Sequence, residues 1–157
     1  MIIEWVLLYV RDLAFVVWLG GLLVIDFVET PARFRVTILN RNQVVAVGRE
    51  VFAAFNRTEV IVGAVLLAAC AVLASRATTV RQESLRATAL VGLMWLVAIS
   101  QYVWARPRMS AAMKDLDLVN RQPEDPRFRV FRRWHKTYVA LDLVKIALGL
   151  VALGLWK

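Results

Sequence analysis

Hydrophobic positions along this chain gather into four long runs, each followed or preceded by a charged stretch. The last run, Phe131 to Trp156, shows the pattern most clearly. At spacings of three and four, one stripe reads His135, Tyr138, Asp142, Lys145, Gly149, Ala152, Trp156. A second reads Leu141, Val144, Leu148, Val151, Leu155. Residues at these spacings share one face of a helix. One face is therefore polar at its start and small further on, while the other is aliphatic throughout. In a bilayer the aliphatic face suits lipid and the polar face must look into protein.

The same reading places spans at about 5–28, 58–74, 87–104 and 134–156, since roughly 20 apolar residues cross a hydrocarbon core. Residues 31–56 are amphipathic. Val44, Val45, Val47, Val51, Phe52 and Phe55 form an apolar face opposite Arg49 and Glu50, which predicts an interfacial helix running into the second span. Pro31 is expected to end or kink span one, and Pro107 to close span three. A cytoplasmic loop over 106–133 comes next, and its first part, Met109 to Val119, has the pattern of a short amphipathic helix. Gly20 and Gly21 fall in the middle of span one, where small residues serve close helix packing. The fold class expected is an all-α integral membrane four-helix bundle, one domain over 1–157, with an amphipathic interfacial segment between spans one and two.

Composition agrees: 60% of the 157 residues are hydrophobic, above the roughly 45–50% of soluble domains. The first run comes after Met1-Ile2-Ile3-Glu4, which offers no basic region and no small-residue cleavage signal. It reads as a retained span and not a signal peptide. The net charge of +8 has a membrane explanation, because cytoplasmic loops concentrate Lys and Arg. Fourteen such residues fall in the stretches 29–57 and 106–136. Five fall on the other side: Arg11, Arg76, Arg81, Arg86 and Lys157. Both long loops are then cytoplasmic and both termini outside, as in a multi-pass protein of a bacterial inner membrane. No nucleic-acid module fits between the spans. Cys70 stands alone in an apolar run, so no disulfide within the chain and no CxxC metal motif exists.

This topology brings polar residues from every span to one level. Asp26 and Glu29 end span one. Asn56 and Glu59 begin span two, and Gln101 ends span three. His135 and Tyr138 begin span four, with Asp142 and Lys145 deeper. An ionisable group inside a membrane costs at least about 2.5 kcal/mol, so these groups need partners or a wet cavity. On the plainer reading they neutralise one another. Asp142 and Lys145 lie a turn apart and form an ion pair. Glu59 meets Arg57 or a loop arginine, and Asp26 meets His135. On the functional reading the cluster is a ligand or cation site, in which Glu59, His135 and Asp26 would suit a divalent metal as cofactor. A lone His and scattered Met residues speak against haem or a copper relay. No nucleophile–base pair is legible, so catalysis would rest on His135 as a base.

Two stretches carry a family resemblance. One is Trp18-Leu19-Gly20-Gly21 through Phe27 to Pro31 and Phe34, with Gly48 and Phe52 beyond. The other is Pro107 with its following turn, then Phe131 and Trp134-His135 at the entrance to span four. The order resembles the transmembrane-protein-205-like family of small membrane proteins, known in bacteria largely as a domain of unknown function. The resemblance implies a four-helix membrane domain and no established reaction. The Asp142–Lys145 pair has no place in the family pattern.

These residues support three functional expectations. In the first, the protein binds, and moves, a cation or small polar ligand through the cluster in the cytoplasmic half of the bundle. In the second it is a non-catalytic accessory subunit, packing in the lipid bilayer as a homo-oligomer or within a larger membrane complex. In the third it is a membrane enzyme on a lipid-soluble substrate, with His135 as base.

Overall fold

The computed structural model describes residues 2–76, 82–114, 117–120 and 125–156. Arg81, Arg121 and Lys157, which entered the reading of orientation, and residues 115–116 of the expected amphipathic stretch lie outside the described residues. Among the described residues six α-helices occur in order: α1 (Ile2–Val24), α2 (Thr30–Phe34), α3 (Arg41–Arg76), α4 (Gln82–Ser100), α5 (Arg106–Met113) and α6 (Pro126–Leu155). Five-residue π-helical turns join α1 to α2 (Ile25–Glu29) and α4 to α5 (Gln101–Ala105). No strand occurs among the described residues.

Four continuous helical stretches are long and apolar enough to cross a membrane: Ile2–Phe34, Arg41–Arg76, Ser84–Met113 and Pro126–Leu155. Within hydrocarbon every backbone N–H must bond inside its own segment, which the helix alone achieves for a single run. The protein is thus an all-α, multi-pass membrane bundle. Pairing is antiparallel between consecutive spans: α1 packs chiefly on α3 and α4 on α6, while α3 meets α4 and α6 reaches back to α1. Phe15, Trp18, Leu22, Leu66, Val91, Met94 and Ile146 form the centre of the apolar core. At the end formed by both chain termini, Trp156 stands edge-on to Phe15 at 5.0 Å, and the Arg11 guanidinium covers its ring at 5.1 Å.

The two prolines act differently from the expectation that Pro107 closes its span. Proline lacks an N–H, and its ring presses on the carbonyl four residues back. The turn before each proline widens instead of breaking. Thr30 N–H reaches back five residues to the Ile25 carbonyl, and Arg106 N–H to that of Gln101. Pro31 and Pro107 then sit in the first turn of α2 and α5, where no N–H is needed. The helix of span three continues past Pro107 to Met113 and stops there, short of the amphipathic stretch expected to reach Val119. The amphipathic region 31–56 is also divided. It comprises α2, a break over 35–40, and the first four turns of α3.

Local chemistry explains where α3 and α6 begin. Asn40 Oδ1 accepts from the Gln43 N–H at 3.0 Å while Gln43 Oε1 accepts from the Asn40 N–H at 2.9 Å, a reciprocal cap. Asp125 accepts from the Arg127 N–H at 2.8 Å, with Pro126 in the first position. The Arg127 side-chain hydrogen bond, and after it this backbone bond, hold the Asp125 carboxyl below the ordinary carboxylate range. At 1.5 Å per residue, the 36 residues of α3 span about 54 Å. A hydrocarbon core is about 30 Å thick, so the Arg41 end projects beyond it. There it packs with α2.

Gly63 decides how closely α1, α3 and α4 approach. A Cβ at this position would lie 2.3 Å from Trp95 Cδ1 and 3.0 Å from the Trp18 ring. Only glycine leaves room for both indoles. Gly21 likewise faces Phe55, at 2.7 Å from a would-be Cβ, whereas Gly20 faces open space.

Candidate functional site

The polar faces of α3, α4 and α6 meet inside the bundle. Asn56 and Glu59 are one turn apart on α3, as Tyr138, Asp142 and Lys145 are along α6, so their side chains project from common faces. Glu59 is the hub. Its Oε1 accepts from the Trp18 indole N–H at 2.9 Å and also from the Lys145 ammonium. Its Oε2 accepts from Asn56 Nδ2 at 2.8 Å. The Tyr138 hydroxyl donates to Asn56 Oδ1 at 2.8 Å. Lys145 Nζ also lies 2.9 Å from Asp142 Oδ1, and Gln101 Nε2 donates to that same oxygen at 2.9 Å. Gln101 Nε2 is shared with the Tyr138 backbone carbonyl, 3.1 Å away.

These groups are out of solvent. Lys145, Asn56 and Gln101 have no exposed surface, and Glu59 has 1%. In such surroundings a charge is tolerable only with partners, which explains why each donor in the network is spent on an acceptor. Two acceptors are left over: Gln101 Oε1 and Asp26 Oδ2 are buried without a hydrogen-bond partner among the described residues. Asp26, in the π-turn after α1, is coupled electrostatically to Asp142, Lys145 and Glu59. Gln101 opens the other π-turn. Each widened turn thus holds a buried polar oxygen without a partner among the described residues, in keeping with the frequent use of π-turns at functional sites.

Of the nine residues expected to bind a ligand, seven belong to this neighbourhood: Asp26, Asn56, Glu59, Gln101, Tyr138, Asp142 and Lys145. The other two stand apart. Glu29 pairs with Arg33, Oε1 to Nε at 3.1 Å. His135 is exposed and stacks on Phe131, centroids 5.7 Å apart, so it meets neither Asp26 nor the network. Glu59, His135 and Asp26 are not gathered as a metal set, and no group of three or more His, Cys, Asp or Glu with that potential occurs among the described residues. Glu59 takes Lys145 from α6 where Arg57 or a loop arginine was expected.

Trp18 was missed by sequence reasoning. A tryptophan deep in an apolar run carries an N–H that needs an acceptor when buried, and that was the available signal. Trp95 obeys the same rule, donating to the Val60 carbonyl at 2.9 Å.

Four membrane-crossing helices around a buried, hydrogen-bonded ionic network define a small polytopic membrane protein with a polar centre. Residues 13–117 match the family described as a domain of unknown function, DUF4149, and the chain belongs to that family. The match includes Asp26, Asn56, Glu59 and Gln101 and stops before α6. No curated protein and no solved structure matches the chain.

Proposed function

We propose that this protein binds, and moves, a small cation, the proton foremost, at the cluster formed by Asp26, Glu59, Gln101 and Asp142. The observation that carries this reading is the pair of buried oxygens without partners, Asp26 Oδ2 and Gln101 Oε1, beside an excess of carboxylates. Glu59 and Asp142 share the single ammonium of Lys145, and Asp26 adds a third carboxyl. Net negative charge in a low-dielectric interior calls for a counter-cation. Hard oxygen donors suit one of small radius.

The excess of Lys and Arg in the two long loops supports an orientation with this cluster in the cytoplasmic half of a bacterial inner membrane and both termini outside. The resemblance of the Trp18–Pro31 and Phe131–His135 stretches to the transmembrane-protein-205-like family sits with this reading and adds no reaction to it.

The test is cation flux into proteoliposomes, with proton, sodium and potassium gradients imposed in turn. The wild type dissipates one of them, and Asp26→Asn and Glu59→Gln lose that flux while remaining folded by circular dichroism. Vesicles that hold all three gradients as protein-free vesicles do, with no cation bound in equilibrium dialysis, would refute the reading.

A further inference from the structure

A second site lies outside the network, at the end of the bundle where α2, α5 and the starts of α3 and α6 meet. A cavity of about 320 Å³ opens there. Its walls carry Arg33, Arg41, Arg49 and His135 over an apolar floor that includes Phe34 and Phe52, and no acidic residue lines it among the described residues. Arg33 is built into the wall. It is 8% exposed, its Nη1 donates to the Val44 carbonyl at 3.2 Å, and its guanidinium lies 5.8 Å from the rings of both Phe34 and Phe52. Its Nε faces Glu29 at 3.1 Å but without the alignment of a hydrogen bond.

Gly48 makes that placement possible. A Cβ there would lie 1.5 Å from Arg33 Nη1 and 2.5 Å from Cζ, so any other residue expels the guanidinium. Arg41 is exposed with no acidic partner among the described residues, and Arg49 meets only the exposed Glu50, at 3.3 Å. The cavity lies by the Arg41 end of α3, where the helix is longer than a hydrocarbon core is thick, and Phe34 of its lining is 58% exposed. It therefore has cationic walls, an apolar floor and a place at the membrane–water boundary.

The geometry points to a binding site for an anionic phospholipid, its phosphate held among Arg33, Arg41 and Arg49 and the start of its acyl chain lying on Phe34 and Phe52. Guanidinium groups pair well with phosphate oxygens. The site is independent of the cation cluster, and its test does not depend on flux.

The experiment is native mass spectrometry of the full chain in mild detergent, offered equal amounts of phosphatidylglycerol and phosphatidylcholine with the same acyl chains. The wild type retains phosphatidylglycerol about tenfold over phosphatidylcholine. A basic residue near an anionic lipid surface contributes roughly fivefold, so Arg41→Gln/Arg49→Gln brings the preference near parity. Gly48→Ala, by displacing Arg33 alone, lowers it to about twofold. Arg132→Gln/Arg133→Gln removes equal charge from exposed positions of α6 outside the cavity, and it keeps the preference. Equal retention of both lipids by the wild type overturns the proposal. So does equal loss in the Arg132/Arg133 control. Inorganic phosphate gives no thermal stabilisation; if it stabilises the chain as much as the lipid does, the cavity is a free-anion site and the lipid assignment fails.

Discussion

Lys145, half-way along the membrane part of α6, is ion-paired to Glu59 of α3, 86 residues earlier in the chain. Neither side chain reaches water. The pair ties the two helices that carry most of the polar network, and Asp142 shares the same ammonium at 2.9 Å. The network's charge balance makes the two partners unequal.

Lys145→Met leaves Glu59 and Asp142 as buried carboxylates with no cation, and the expected loss is about 3–5 kcal/mol. Glu59→Gln leaves Lys145 paired with Asp142 and keeps an oxygen for Trp18, so its cost is smaller. Adding Glu59→Gln to Lys145→Met recovers part of the loss. Unfolding in mixed detergent–dodecyl sulfate micelles measures all three. A Lys145→Met protein no less stable than Glu59→Gln would contradict this balance.

Gly63→Ala places a methyl group against both indoles. Overpacking of this kind costs about 1–3 kcal/mol. Gly92 faces open space, so Gly92→Ala is expected to leave stability unchanged. Thermal unfolding monitored by tryptophan fluorescence compares the two, and equal midpoints would show that the Trp18–Gly63–Trp95 contact is not tight.

Asp117 anchors the segment 117–120 on α3. Its carboxylate accepts from Asn42 Nδ2 at 2.9 Å, from the Val119 N–H at 2.9 Å and from Asn120 Nδ2 at 3.0 Å. The Asn42 bond comes first among the causes that lower its pKa from 3.8 to about 2, and the Val119 N–H bond second. Because the folded value is depressed, the anchoring is complete above the ordinary carboxylate value and fades as pH falls through about 2. Carbon-13 titration of the side-chain carboxyl checks this. A midpoint near 3.8 would show that the tie to Asn42 does not hold in solution.

The Trp18–Gly63–Trp95 contact and the Arg33–Gly48 contact show where reading the sequence stops. Glycines in mid-helix pointed to close packing, but which ring fills each space depends on how the helices are rotated. The polar residues of the site were legible because ionisable groups in apolar runs are rare and conspicuous. The Asp142–Lys145 pair was legible too, one turn apart on a single helix, but the partners of Glu59 were not. Arg57 is two residues from Glu59 and projects from another face of α3, so proximity in sequence named the wrong cation. His135 looked like a member of the cluster because it shares a stripe with Tyr138, yet one turn nearer the helix start it lies outside the packed interface.

The sequence by itself determined that the chain crosses a membrane four times, since long apolar runs must form helices where no water satisfies the backbone. It did not announce the starts of α3 and α6, which were expected within a continuous amphipathic segment from 31 and at about 134, although the caps at Asn40 with Gln43 and at Asp125 are bonds between near neighbours. Tertiary structure alone decided that Pro31 and Pro107 widen their helices without ending them. Packing beyond each proline favours continuing the helix. Tertiary structure also decided that Glu59 meets Lys145 and Trp18. Those partners lie 86 and 41 residues away, and only the rotation of four packed helices brings them within bonding distance.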